Sequence, residues 1–245
     1  WVKNVQLVGE DAEKTIITYD DHANINKMGT FRTYTVKVEG NDITFRDLTI
    51  ENNAAPLGQA VALHTEGDRL MFVNCRFLGN QDTVYTGSEG DCLLFTNCYI
   101  EGTTDFIFGP STALFEYCEL HSKRDSYITA ASTPQNEEFG YVFKNCKLTA
   151  APGVKKVYLG RPWRPYAATV FINCEFGGHI RPEGWHNWKN PENEKTARYA
   201  ESGNTGEGAG TSGRVTWGKQ LTKKEALRYT PENIFKESSN WYPYK

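Results

Sequence analysis

Six phenylalanines, Phe45, Phe72, Phe95, Phe115, Phe143 and Phe171, recur at intervals of 27, 23, 20, 28 and 28 residues, and each sits in the same phrase. A short alternating run carries the Phe, as in Leu70-Met71-Phe72 and Leu93-Leu94-Phe95. Five residues further on comes a second apolar position: Ile50, Phe77, Ile100, Leu120, Leu148 or Phe176. Period-two runs broken by Asn, Gly and Asp read as short strands joined by turns. Helical periodicity is nearly absent before residue 185. A unit of 20 to 28 residues with several strands per repeat cannot bury its apolar face alone, and stacking the units buries a continuous core. The expected fold is all-β: a right-handed parallel β-helix forming one domain over residues 1–245. A β-sandwich also has strands at short intervals, but one phrase in one slot five or six times favours the solenoid.

Two columns follow from the alignment. Asn74, Asn97, Asn145 and Asn173 stand two residues after their Phe and are expected as an inward or corner ladder, with amides bonded coil to coil. Cys75, Cys98, Cys118, Cys146 and Cys174 stand three residues after it. They suit a column of small buried side chains. Strand spacing would equally allow adjacent cysteines to be bridged, with Cys98 and Cys118 the first candidates. The sixth, Cys92, lies outside the column, and with no CxxC pair nothing points to zinc.

Between the repeats, residues 11–30 read as polar loop and Gln59-Ala60-Val61-Ala62-Leu63 as strand. Val157-Tyr158-Leu159 is a strand entering a Pro-broken loop, residues 184–213 are loop, and Arg214-Val215-Thr216-Trp217 is a last strand. Thr222-Lys223-Lys224-Glu225 is a capping box, and Thr230-Pro231 starts a helix with Pro at its first position. Both short helices are expected to fold back onto the solenoid. The opening Trp1-Val2-Lys3-Asn4-Val5 already reads as strand, so the usual start of such a domain is expected to be missing.

A net charge of −3 over 245 residues gives no basic face for nucleic acid. No run of about 18 apolar residues could span a membrane, and no signal peptide is visible. His22, His64, His121, His179 and His186 form no pair at metal-ligand spacing. Lys155, Lys156, Arg161 and Arg164 make a small basic cluster, which reads as a solvated face or as a contact for free carboxylates.

The chemistry concentrates between Phe72 and Gly109. Asp82 follows Phe72 by ten residues and Gly79 by three; Asp105 follows Phe95 and Gly102 by the same offsets. On adjacent coils, equivalent carboxyls would lie about 5 Å apart. That separation suits a nucleophile beside a general acid and disfavours ionising both at once. A lone Asp near Gly is ordinarily a turn residue, but here two are in register, each leading into an apolar strand. Asp125 shares the offset from Phe115 but sits in the polar run His121-Ser122-Lys123-Arg124, and it reads as structural. Taken alone, Gln59 and Gln81 read as surface residues, and Arg161-Pro162-Trp163 could be no more than an Arg stacked on Trp.

The segments Gly79-Asn80-Gln81-Asp82-Thr83-Val84-Tyr85, Gly102-Thr103-Thr104-Asp105-Phe106-Ile107-Phe108-Gly109 and Leu159-Gly160-Arg161-Pro162-Trp163 resemble signature segments of the pectin methylesterase family, as does Gln59-Ala60-Val61-Ala62-Leu63. The likeness runs from about Val5 to Trp217. It implies a right-handed parallel β-helix that hydrolyses methyl esters at C6 of galacturonate in pectin, with no metal or other cofactor. Position by position it makes Asp105 the nucleophile and Asp82 the general acid and then base. It makes Gln59 and Gln81 donors to the oxyanion, Arg161 the clamp on Asp105, and Trp163 a sugar-binding wall. Trp185 is expected as a second exposed sugar platform, with Tyr85, Phe108 and Thr104 as further substrate contacts; Trp188 goes with the core aromatics. Thr104 and Val84 stand where the family usually has Val and Leu. The resemblance further implies methyl-esterified homogalacturonan as partner, a monomer, and a secreted or periplasmic location. A β-helix lyase or polygalacturonase, a sugar-binding solenoid without turnover, and an offshoot acting on another ester or thioester are the alternatives.

Overall fold

A computed structural model describes residues 3–236 together with Trp241 and Pro243; the expected opening strand residues Trp1 and Val2 lie outside these. Every strand pairing is parallel, and the strands fall into three sheets of nine, seven and six. One coil illustrates all of them. Leu70–Val73 lies in the first sheet, Arg76–Leu78 in the second and Val84–Thr86 in the third. The next coil repeats the path one strand spacing away, with Cys92–Thr96, Tyr99–Gly102 and Ile107–Gly109. This is the right-handed parallel β-helix expected from the repeat.

The phenylalanine column fixes the register. Phe45, Phe72, Phe95, Phe115, Phe143 and Phe171 pair directly along the first sheet. From Phe72 onward their rings stack inside the solenoid at centroid separations of 4.6, 4.6, 4.5 and 4.4 Å. Those values lie close to the interstrand distance itself, so one ring per coil fills the axis without a gap.

The asparagine column makes the corner between the first two sheets and points outward, not inward. Asn74, Asn97, Asn145 and Asn173 have φ of +51° to +54°, the left-handed region that Asn tolerates better than most residues. Their side chains are exposed. The expected coil-to-coil bond appears at Asn74, whose amide donates to Asp47. The five column cysteines are buried and unbridged, Cys98 and Cys118 included. From Cys98 onward, each thiol donates instead to the carbonyl of the Phe on the preceding coil, at 3.4–3.6 Å.

Three segments differ from expectation. Ile16–Tyr19, inside the stretch read as loop, is a strand of the second sheet, largely exposed at the end coil, so it lacks the alternation that reveals buried strands. Arg198–Ser202 is a strand, whereas Arg214–Trp217 is not; the first sheet ends on Lys219–Gln220. The Arg198 strand was hidden by its charges: Glu201 pairs with Phe171 in register and is buried against Arg214. Third, Gln59–Leu63 is strand only from Leu63. The two single-turn helices, Lys223–Ala226 and Pro231–Ile234, form as expected, the first with its complete capping box. Ile234 and Phe235 then cover Leu94, Leu114 and Phe139 on the outer face of the first sheet.

Candidate active site

The third sheet carries the site. Val84 pairs with Ile107 and Ile107 with Thr129, so two residues earlier Asp82, Asp105 and Tyr127 fall side by side. Asp82 N donates to Thr104 O, as that register requires, and Asp105 N donates to Tyr127 O, one residue further along than it requires. Asp125, despite its matching offset from Phe115, is out of line because its loop is two residues longer. Its carboxylate accepts from the amides of Lys155 and Lys156, and these bonds hold its pKa below the ordinary value.

Both aspartates are left-handed, with φ of +70° at Asp82 and +49° at Asp105. They therefore serve as turn residues as well. The glycine three residues upstream has its own reason: a Cβ at Gly102 would fall 2.2 Å from the Cβ of Phe106. Only a glycine lets the chain fold back closely enough to set the Asp at the rim of the sheet.

The two carboxyls are 8% and 5% exposed and open into a cleft of about 200 Å³ lined also by Thr30, Phe31, Gln59, Gln81, Arg161 and Trp188. Arg161 donates from Nε to Asp105 Oδ1 at 3.0 Å and from Nη2 to Oδ2 at 2.6 Å. This is the bidentate fork that carboxylates bind best. Its guanidinium lies 3.9 Å from the Tyr127 ring centroid and 3.7 Å from that of Trp188, held between two aromatic faces. Burial pushes both carboxyls up from their ordinary value, and Arg161 pulls each back. At Asp82, the neighbouring Asp105 adds a further upward push, and the result is well above the usual carboxylate range. Of the two, Asp82 is the carboxyl pushed further toward keeping its proton, and Asp105, forked by Arg161, is the one better placed to hold the charge.

An aromatic wall borders the pair. Phe31 packs on Tyr85 at 4.8 Å, Tyr85 on Phe108 at 4.7 Å, and Phe108 lies 5.8 Å from Trp163. Phe108 and Trp163 line the cleft, whereas Tyr85 does not line it and packs against Phe31 and Phe108. Thr104 does not line the cleft either; its hydroxyl bonds Ser126 at 2.7 Å. Trp185 is a correction. It is 1% exposed and packs on Tyr199 and Phe171 at the end of the phenylalanine column, so it is core and no sugar platform. We expect Trp185→Ala to cost about 3–5 kcal/mol of stability, as truncating a buried aromatic does, read as an earlier denaturant midpoint. The tryptophan that reaches the cleft is Trp188, three residues on and only partly buried.

Phe31, Tyr127 and Trp188 were missed as site residues. Phe31 comes from a distant loop, Tyr127 lacks any motif, and Trp188 is indistinguishable in sequence from a core aromatic. A larger hollow of about 520 Å³ lies on the first sheet under the C-terminal segment. Its charged groups are already engaged, Arg228 with Glu138, Lys219 with Glu225, and Arg198 with backbone carbonyls. It offers no paired carboxylates. Among the described residues, no group of three His, Cys, Asp or Glu is placed to hold a metal ion, and no helix is long and apolar enough to cross a membrane.

Parallel coils with two in-register carboxyls, one of them forked by an arginine, define a parallel β-helix with a paired-carboxylate cleft. The pectinesterase family model matches residues 2–238, and the chain belongs to that family. Pectinesterase 31 of Arabidopsis thaliana is 41% identical over 233 residues, covering 91% of this chain and 73% of that protein. Probable pectinesterase/pectinesterase inhibitor 64 of the same plant is 38% identical over 98% of this chain, which spans only 43% of its length. Among solved structures, pectin methylesterase from carrot superposes with a TM-score of 0.91 at 33% identity, over 99% of this chain and 82% of that one. A pectin methylesterase in complex with a hexasaccharide superposes at 0.82 with 27% identity, over 99% and 86%.

Proposed function

We propose that this chain is a carboxylic ester hydrolase that removes methyl esters from C6 of galacturonate units in pectin. The observation that carries this reading is the asymmetry of the pair: Arg161 forks Asp105 and, among the described residues, no cation is bonded to Asp82. Family membership and the hexasaccharide bound to a structural relative support the substrate class.

The ionised Asp105 attacks the ester carbonyl, and Arg161 orients it. The tetrahedral anion receives hydrogen bonds from the Gln59 and Gln81 side-chain amides, both in the cleft. Asp82 donates its proton to the departing methoxide, methanol leaves, and an acyl–Asp105 anhydride remains. Asp82, now a carboxylate, takes a proton from the water that attacks the anhydride. Galacturonate is released and Asp105 regains its charge. A carboxylate nucleophile needs such preorganised donors because it is weak. The alternation of Asp82 between acid and base requires a raised pKa. Phe31, Phe108 and Trp163 offer flat apolar faces to the sugar rings. Since this polymer lies outside cells, the protein acts in an extracellular or periplasmic space.

The test is methanol release from highly esterified pectin. Formation of an ultraviolet-absorbing unsaturated product in its place would assign a lyase, and binding without turnover a sugar-binding solenoid. With activity in hand, Gln81→Ala should lower kcat by about 10²–10³ and leave KM within a few fold, because the donor is needed mainly once the carbonyl oxygen carries charge.

A further inference from the structure

We infer that Arg214, remote from the cleft and in contact with none of its carboxyls, is a positioning residue for Arg161 and Asp105, acting through the segment 181–188. This rests on the esterase reading only for its kinetic arm.

Arg214 is the hub of the last coil. Its side chain is 3% exposed and paired with Glu201, also 3% exposed. Nε and Nη2 donate to the two Glu201 oxygens at 2.8 and 3.1 Å, and Nη2 also to Gly208 O. Nη1 faces the other way and donates to Arg181 O at 3.2 Å and Pro182 O at 2.9 Å. Val215 N, next in sequence, bonds Glu183 O. Gly184 makes room for this arrangement: its φ is +71°, and a Cβ there would meet Arg214 Cδ at 2.6 Å.

The held segment is a partial extra rung of the catalytic sheet. Ile180, just before it, bridges to Val157, and Trp185 within it bridges to Gly160, the last residue of the strand Tyr158–Gly160 that leads into Arg161. Leu159 N donates to Gly184 O and His186 N to Gly160 O. At its far end, Trp188 (φ +60°) lies over the Arg161 guanidinium, opposite Tyr127. The chain of contacts runs from the Arg214 fork to the 181 and 182 carbonyls, along the rung to Trp188, and from Trp188 onto the guanidinium that holds Asp105. A buried arginine with five donors in fixed geometry can serve carbonyls and a carboxylate at once; a lysine in its place cannot. Misplacing a catalytic group by about 1 Å can cost 10²-fold in rate.

The experiment compares Arg214→Lys with Glu201→Gln. The first keeps the charge but loses the Nη1 contacts. The second loses the charge but leaves Nη1 on its carbonyls, and it is expected to unfold at the lower temperature because it strands a buried cation. Positioning predicts that Arg214→Lys lowers kcat about 10-fold, within the range expected of a displaced catalytic group, with KM within about twofold. It also predicts faster hydrogen exchange at Leu159 and His186. Glu201→Gln, the less stable variant, should keep kcat and those exchange rates near wild type. Equal losses in both variants, or an Arg214→Lys protein with unchanged kcat and exchange, would overturn the inference. Exchange is read without substrate, so absence of methanol release from the unaltered protein would defeat the esterase assignment separately.

Discussion

Asp105→Asn is expected to abolish methanol release from highly esterified pectin, by about 10⁴-fold or more, as loss of a nucleophile does in enzymes whose catalytic groups act as a unit. The amide occupies the same space, keeps an oxygen for one Arg161 bond, and tolerates the left-handed φ of +49° at this position. Alanine would add backbone strain of about 1–2 kcal/mol and confuse loss of fold with loss of chemistry. The informative result is therefore a folded Asp105→Asn protein, verified by circular dichroism and cooperative unfolding, with no burst and no steady-state turnover. Turnover at the unaltered rate in that protein would remove the nucleophile from the mechanism. In the unaltered protein, activity should fall on the acid side as the pair takes up its second proton and on the alkaline side as it loses its last, a bell belonging to the pair rather than to either residue.

Asp82→Asn should separate activity from stability in opposite directions. Loss of the general acid and base costs about 10²–10⁴ in kcat and removes the alkaline limb of the bell. The same change should stabilise the fold near neutral pH. The native carboxyl is raised well above its ordinary value of 3.8 by burial and by Asp105. Between those two values the unfolded chain has released the proton and the native protein has kept it. Fewer protons on the unfolded chain make unfolding easier as pH rises through that window. Asparagine has no proton to lose, so the gain is present at neutral pH and vanishes as pH falls below the ordinary carboxyl value. Each kcal/mol recovered would raise the melting temperature by about 2–4 °C in a chain of this size. Thermal unfolding of both proteins across the acid range measures it. A neutral-pH melting point below that of the unaltered protein, with the fold otherwise intact, would contradict a protonated Asp82. A site that is less stable than its inert variant is the usual cost of burying reactive charge.

The division between what was legible and what was hidden follows the physics of repeats. The phenylalanine spacing pointed to the solenoid and to the register of its first sheet, because one identical ring per coil aligns those strands, and Asp82 falls beside Asp105 because the loops that follow Phe72 and Phe95 are equal in length. The motif residues at Gln59, Gln81, Arg161 and Trp163 were readable only through family resemblance; taken alone, the two glutamines read as surface residues and Arg161 with Trp163 as a structural stack. Tertiary structure decided the rest. It placed Asp125 outside the column, because two extra loop residues shift register in a way that a count from Phe115 cannot see. It buried Trp185 and laid Trp188 on the guanidinium, although sequence gives these two tryptophans nearly the same surroundings. It also turned a charged stretch, Arg198–Ser202, into a buried strand, because Arg214 arrives from later in the chain to neutralise Glu201. Contacts that recur with the repeat are written locally. Contacts made once, between segments far apart in the chain, become visible only when the coils are closed.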